Sequence, residues 1–332
     1  ELILCSRSTK GIPSFLILMD YRRAHLEQYA DLPIEFALWM GQEGFIKVDN
    51  VPCARCGEKM VLQGTSPFNS IDSLYISLSH PCLFSCQVRG QLKDGCQLRC
   101  PNRDCNHKRS VRQDSFFHHS KYSIYTQMLI ICCFCEDMSV SVCHTDLAIS
   151  RERVTDYFDN LRGCYADALQ ADPIKFISSG PYEVDEFLIK NVETSSGGHV
   201  NLWVQDIFER HTGQYWAMIV PNRSSYVLIS NIKEKIPPGS LIFSDDWAGY
   251  RPLTAKGYRH YTVTHSAGEY ARTEMIDQFQ VEVHINTIEG LHRGIRQRVA
   301  NKSRRNVERI ELIMSEYIYR HSGRSLFSPF KV

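Results

Sequence analysis

Three strand-like runs, a helix and two further strand-like runs follow Pro181 in succession, and that order is the tightest constraint on the fold of this chain. The first run is YEVDEFLIK around Asp185. Val200 to Ile207 and Tyr215 to Val220 come next, with Arg210-His211-Thr212-Gly213 as the hairpin turn between them. All three are rich in β-branched and aromatic residues and are bounded by turn formers. Ser224 to Lys235 reads as the helix, Leu241 to Ser244 as the fourth strand and His260 to Val263 as the fifth. Strands mixed with helices in this way predict an α/β layer fold. A further helix starts near Asn286, a good N-cap, and places Ile288, Leu291, Ile295 and Val299 on one stripe. A last helix runs from Arg304 to Arg320.

Three acidic residues lie within this frame. Asp185 and Asp245 sit in strand-like runs and Glu289 on the helix, with 59 and 43 residues between them. Hard divalent cations such as Mg²⁺ take anionic oxygen ligands and keep waters for substrate oxygens. Two such ions roughly 3.5 to 4 Å apart stabilise the entering and leaving oxygens of an in-line displacement. Two strand carboxylates and one helix carboxylate are what such a site needs, and Arg293 and Arg296 share the face of Glu289, where they could hold flanking phosphates. Glu289 also stands three residues after Asn286, the spacing of a capping box, so helix chemistry alone leaves a capping role open.

Before this region come two cysteine knuckles on turn-rich sequence, Cys53-x2-Cys56 and Cys100-x4-Cys105. Four thiolates at such spacing predict a closed, structural Zn²⁺ site, with buried free thiols as the other reading. The 43 residues between Cys56 and Cys100 exceed the roughly 15 to 20 usual between knuckles, and Thr65 to Val88 differs in composition from its flanks. Residues 65–88 are therefore expected to be an insertion, with Cys82 and Cys86 not ligands. Helical patterns follow at Tyr122 to Glu136, Ser139 to Ala148 and Arg151 to Ala168, with Ser150 as an N-cap. A short helix, a tight turn and a helix opening on Arg151 and Arg153 fit either a helix-turn-helix or a plain helical bundle. The expected domains are a helical segment at 1–50 with a strand at Phe45-Ile46, a zinc ribbon at 51–120, a helix-turn-helix region at 121–177 and an α/β domain at 178–332.

A formal net charge of +1 conceals a partition. Asn286 to Val332 holds 10 Lys and Arg against 4 Asp and Glu, Arg89 to Tyr125 holds 8 against 3, and Ser178 to Gln280 holds 9 against 12. Basic flanks around an acidic centre suit a polyanion gripped beside a metal site, although solvated helix faces account for the charge equally simply. Apolar runs such as Ile12 to Met19 and Met128 to Cys135 fall short of the roughly 20 residues that span a bilayer, so no membrane role is expected. Thirteen cysteines in this arrangement fit a reducing compartment better than a disulfide framework.

Taken as a set, V-D-E at Val184 to Glu186, S-D-x-W-x-G-Y at Ser244 to Tyr250, Thr264-His265-Ser266 and H-I-N-T-I-E-G at His284 to Gly290 carry a family likeness. Over about residues 100 to 325 they resemble the DDE transposase domain of Merlin-type elements and their bacterial insertion-sequence relatives. The resemblance implies an RNase H-like fold that cuts and joins DNA, with Asp185, Asp245 and Glu289 holding two Mg²⁺ or Mn²⁺ ions. It implies a structural Zn²⁺ ribbon, and it tips Arg151 and Arg153 towards DNA binding. His265, just past the fifth strand, is placed to touch a phosphate or the leaving strand, with a capped loop histidine as the other reading. The run from Arg109 to Phe117 is similar to the family's S-x-R-x-x-S-x-F stretch. Implied partners are double-stranded DNA, as terminal inverted repeats and target, and further copies of the chain. The implied location is nuclear in a eukaryote, or cytoplasmic and nucleoid in a bacterium. A nuclease or resolvase of the same fold, or a domesticated DNA-binding protein, are the alternatives. The chain departs from the pattern at His292, where relatives often carry Trp, and at Asp246, where they carry Gly or another small or polar residue.

Overall fold

The computed structural model describes residues 26–64, 92–193, 198–264, 268, 270–302 and 307–331. The expected insertion at 65–88, Cys82, Cys86 and His265 lie outside them. The chain divides into two compact units, Glu1–Leu161 with Ser325–Val332, and Arg162–Arg324.

In the first unit, Pro33 opens α1 (Pro33–Gln42), a position where its missing N–H costs nothing. Gly44, at φ 81°, closes the helix end, and the Phe45 N–H reaches back to Met40 O at 2.8 Å. Phe45 and Ile46 are buried and form no strand, contrary to the sequence expectation, and the Phe45 N–H serves the helix closure instead. A three-stranded antiparallel sheet follows, in the order β1 (Val61–Gly64), β2 (Cys96–Arg99), β3 (Lys108–Arg109). Arg112, 4% exposed, is fastened by Nε and Nη2 to Asp94. Asp94 Oδ1 also accepts the N–H of Ile124, which begins α2 (Ile124–Cys135). Ser123 caps α2 and Ser139 caps α3 (Val140–Leu147). Ala148 turns in the left-handed region at φ 51°, and α4 (Arg151–Ala171) begins directly after Ser150. Val154, Phe158 and Leu161 line its buried side, while Arg151 and Arg153 are exposed.

The second unit is built on a mixed five-stranded sheet in the order β6 (Tyr215–Val220), β5 (His199–Glu209), β4 (Tyr182–Glu193), β7 (Leu241–Asp245), β8 (Arg259–Val263). Pairs β6–β5 and β5–β4 are antiparallel, and β4–β7 and β7–β8 are parallel. This mixed sheet with flanking helices fits the RNase H-like expectation. Between β6 and β7 lies α5 (Ser225–Lys235), and a 3₁₀ stretch, Ala248–Lys256, joins β7 to β8. Helices α6 (Asn286–Lys302) and α7 (Val307–Arg320) complete the unit, α6 against β4 and β5, α7 against β6 and α6. Gly294 lets the helices approach, since a Cβ there would stand 2.3 Å from Tyr317 Oη. Val184, Val204, Ile207, Ile242, Phe243, Ile288, Ile295 and Ile313 are fully buried in the shared core.

A hairpin of β9 (Ala271–Ile276) and β10 (Phe279–His284) precedes α6. Its turn residues, Asp277 and Gln278, both have positive φ, at 50° and 69°. The sequence reading contained no such hairpin, because neither turn residue is the glycine that ordinarily marks such a turn.

Candidate metal centre

Central strand β4 is buried on both faces from Tyr182 to Phe187, yet it carries three carboxylates there, Glu183, Asp185 and Glu186. A buried carboxylate needs a partner or it surrenders its charge. Glu183, fully buried, accepts from Arg210 Nε at 2.7 Å and from the Ile288 N–H at 3.0 Å. Arg210 in turn donates to Glu282 O and His284 O at 2.7 Å each, so one guanidinium ties β4 to the end of β10. The first turn of α6 is thus capped by Glu183 from another strand. The N-cap role that the sequence gave Asn286 is not formed: Asn286 lies inside the helix, and the Ile288 N–H is taken by Glu183.

Glu186 is paired too. Its Oε1 accepts from Arg223 through Nε, at 2.8 Å, and Nη2. The Arg223 guanidinium lies between two indoles, 4.3 Å from the Trp203 ring centroid and 4.0 Å from that of Trp247. Trp247 rests against Gly249, where a Cβ would come within 2.8 Å of the indole, which is a physical reason for glycine in the W-x-G part of the motif. Glu186 Oε2 and the Tyr250 hydroxyl are both buried and face each other, without close hydrogen-bond geometry to any group among the described residues.

Among the described residues, no arginine or lysine forms an ion pair with Asp185. One of its oxygens, Oδ1, accepts the Glu186 N–H at 2.8 Å, and Oδ2 stands 3.8 Å from His292 Nδ1. Burial first, then the charges of Asp206, Asp245 and Glu186, raise the Asp185 pKa well above the ordinary carboxylate range. Asp245 ends β7, the parallel neighbour of β4, and Asp245 Oδ1 accepts the Trp247 N–H at 3.1 Å. Asp185, Glu186 and Asp245 each offer a carboxylate oxygen within 4.8 Å of the others. Asp246 is exposed at the surface, so the neighbouring register does not join the group.

Of the residues picked from sequence, the structure therefore brings Asp185 and Asp245 together and adds Glu186. Glu289 occupies the first turn of α6, half-buried, and is not among the three that converge. On the same helix, Arg293 is exposed, and Arg296 donates Nε to Leu188 O at 3.1 Å with its guanidinium 5.0 Å from the Phe187 ring. Asp206 and His292 escaped the sequence reading as site residues. Asp206 stands opposite Asp185 in the β4–β5 register, and its only sequence signal is a carboxylate inside the apolar run WVQDIF.

The donor set suits a hard divalent cation. It consists of carboxylate oxygens from Asp185, Glu186 and Asp245, gathered where burial and neighbouring carboxylates raise the Asp185 pKa. A separate group in the first unit is made of sulfur. Cys53, Cys56, Cys100 and Cys105 lie within 4.8 Å of one another, with Sγ separations of 3.6 Å for Cys53–Cys105 and 3.4 Å for Cys56–Cys100. One knuckle precedes β1 and the other links β2 to β3. Although burial works the other way, backbone N–H donors from Arg55 and Cys56 bring the Cys53 thiol down to about 7. A soft, tetrahedral Zn²⁺ matches four such thiols.

Residues 186–306 match the ISXO2-like transposase domain, a stretch that begins one residue after Asp185 and includes Asp245 and Glu289. A further 51-residue match, 31% identical, is to an uncharacterized transposase-like protein of Haemophilus influenzae. That match takes in 15% of this chain and 42% of the relative, so the chain spans under half the length of the curated protein it resembles.

Proposed function

We propose that this chain, which carries an ISXO2-like transposase domain across residues 186–306, is a metal-dependent DNA transposase that cleaves element ends and joins the freed 3′-hydroxyl to target DNA. The observation that carries this reading is the convergence of Asp185, Glu186 and Asp245 at adjoining parallel strands, with Asp185 buried and, among the described residues, without an arginine or lysine partner. Bound there, two Mg²⁺ or Mn²⁺ ions would supply charge neutralisation for the entering and leaving oxygens of phosphoryl transfer. Asp185 and Asp245 hold the metal side of the site, and Glu289 is proposed as the third ligand from α6. Glu183 and Arg210 fix where α6 begins, and so where Glu289 stands. Arg293, exposed one turn along, is offered to a phosphate of the bound strand.

Upstream, the four cysteines would hold Zn²⁺ and brace the small sheet as a zinc ribbon. Helices α3 and α4 are proposed as the helix-turn-helix that reads terminal repeats, with Arg151 and Arg153 exposed at the start of the second helix. Bringing two element ends together requires at least a second copy of the chain.

The test is strand transfer by the full chain on a duplex bearing the element's own terminal repeats, in Mg²⁺ or Mn²⁺. Asp245→Asn is expected to abolish cleavage and joining while DNA binding stays within a few-fold, and Asp246→Asn is expected to remain active. Cleavage without joining in the wild type would favour a nuclease. Full activity in Asp245→Asn would refute the reading.

A further inference from the structure

Behind Asp185 lies a buried carboxylate–imidazole pair that the metal site does not use directly. Asp206 is fully buried, and its oxygens are occupied: His292 Nε2 lies 3.0 Å from Oδ1 and 2.9 Å from Oδ2, and the Tyr215 hydroxyl donates to Oδ2 at 2.9 Å. His292, 5% exposed, lies flat on Phe187, with ring centroids 4.1 Å apart and planes 28° from parallel. Its ring is therefore held along one edge by Asp206 and over one face by Phe187. That leaves the other nitrogen, Nδ1, directed at Asp185 Oδ2 across 3.8 Å. The elements joined are β5 through Asp206, β4 through Asp185 and Phe187, and α6 through His292.

From this geometry we infer that Asp206 and His292 are a positioning pair: Asp206 fixes the His292 ring, and the ring, packed 3.8 Å from Asp185 Oδ2, limits by contact the orientations that the Asp185 carboxylate takes beside Asp245. Asp206 is not itself a ligand, since His292 and Tyr215 occupy both its oxygens and it stays outside the converging set. His292 also lies three residues after Glu289, so the same bond sets the rotation of α6 that carries the proposed third ligand. The inference rests on the metal-site reading. Partners that orient a ligand from behind usually govern metal affinity by about 10- to 100-fold.

The experiment is titration of the full-length protein with Mn²⁺, followed by the electron paramagnetic resonance of the free ion, with folding checked by circular dichroism. Wild type is expected to bind Mn²⁺ and Asp185→Asn to lose it. His292→Phe keeps the stacking ring but neither nitrogen, and is expected to weaken binding about 10-fold or more. His292→Gln, whose amide can donate to Asp206 but which puts no ring beside Asp185, is expected to recover only part of that loss. Tyr215→Phe removes one hydroxyl from Asp206 and is expected to weaken binding by a few-fold, which keeps the question answerable if His292→Phe does not fold. Folded His292→Phe or Tyr215→Phe with wild-type affinity overturns the positioning role while leaving the metal site standing. Wild type without Asp185-dependent binding overturns both, and that failure appears before any variant at His292 is made.

Discussion

Glu183→Ala tests how α6 is anchored. Glu183 has no solvent exposure and satisfies two groups at once, the Arg210 guanidinium, whose side chain is 17% exposed, and the Ile288 N–H in the first turn of α6. Removing it leaves a largely buried cation without its anionic partner, though still bonded to Glu282 O and His284 O, and an unpaired helix N–H. Breaking a buried pair from one side costs about 3–5 kcal/mol. For a unit of this size each kcal/mol lowers Tm by about 2–4 °C, so a fall of roughly 6–20 °C is expected. Glu183→Gln, which keeps an acceptor for Ile288 but loses the charge, should fall between wild type and Glu183→Ala. Differential scanning calorimetry reads both, and Arg210→Ala combined with Glu183→Ala should cost less than the two singles added, because the partners are lost together. A Glu183→Ala protein melting within about 2 °C of wild type would refute the argument that this carboxylate anchors α6.

Three other outcomes follow from the same structure. Burial lowers His260 to about 4, in a neutral form bonded to Ser244 Oγ at 2.8 Å. Its contribution to stability is whole above pH 6.5 and is lost as pH falls towards 4, by at most about 3 kcal/mol; chemical denaturation of His260→Gln should show a flatter profile over that window, and an unchanged slope would contradict the assignment. Elemental analysis should find one zinc per chain, lost in Cys100→Ser, and retained zinc in that variant would reassign the ligands. Arg153→Ala should weaken binding to terminal repeats by about 1–3 kcal/mol if it makes a bidentate base contact, and equal loss on random DNA would make it a phosphate contact.

How far the sequence revealed this molecule depended on the range of the interaction. Strand β6 was read at its observed bounds, because Tyr215–Val220 is an apolar run bounded by Gly213 and Pro221. Helix α4 was legible through Ser150, whose capping chemistry is local. Asp185 and Asp245 could be singled out because both interrupt strand-like runs within recognisable motifs. Asp206 and Glu186 could not be assigned roles, since one is defined by its cross-strand register and the other by a guanidinium 37 residues away in sequence. The cap on α6 was misread for the same reason: a local Asn286 was the visible candidate, whereas the group that serves Ile288 lies 105 residues earlier. His292 was visible only as a departure from a family pattern, and its inward bond to Asp206 needed the fold.

The most direct measurement of the central claim is a crystal structure of the protein soaked in Mn²⁺, with the ion located by its anomalous scattering. The account predicts manganese density at the carboxylates of Asp185 and Asp245, with oxygens at about 2.0–2.2 Å, close to the distances of the smaller Mg²⁺. Density that appears only elsewhere, or that persists unchanged in Asp245→Asn, would contradict it.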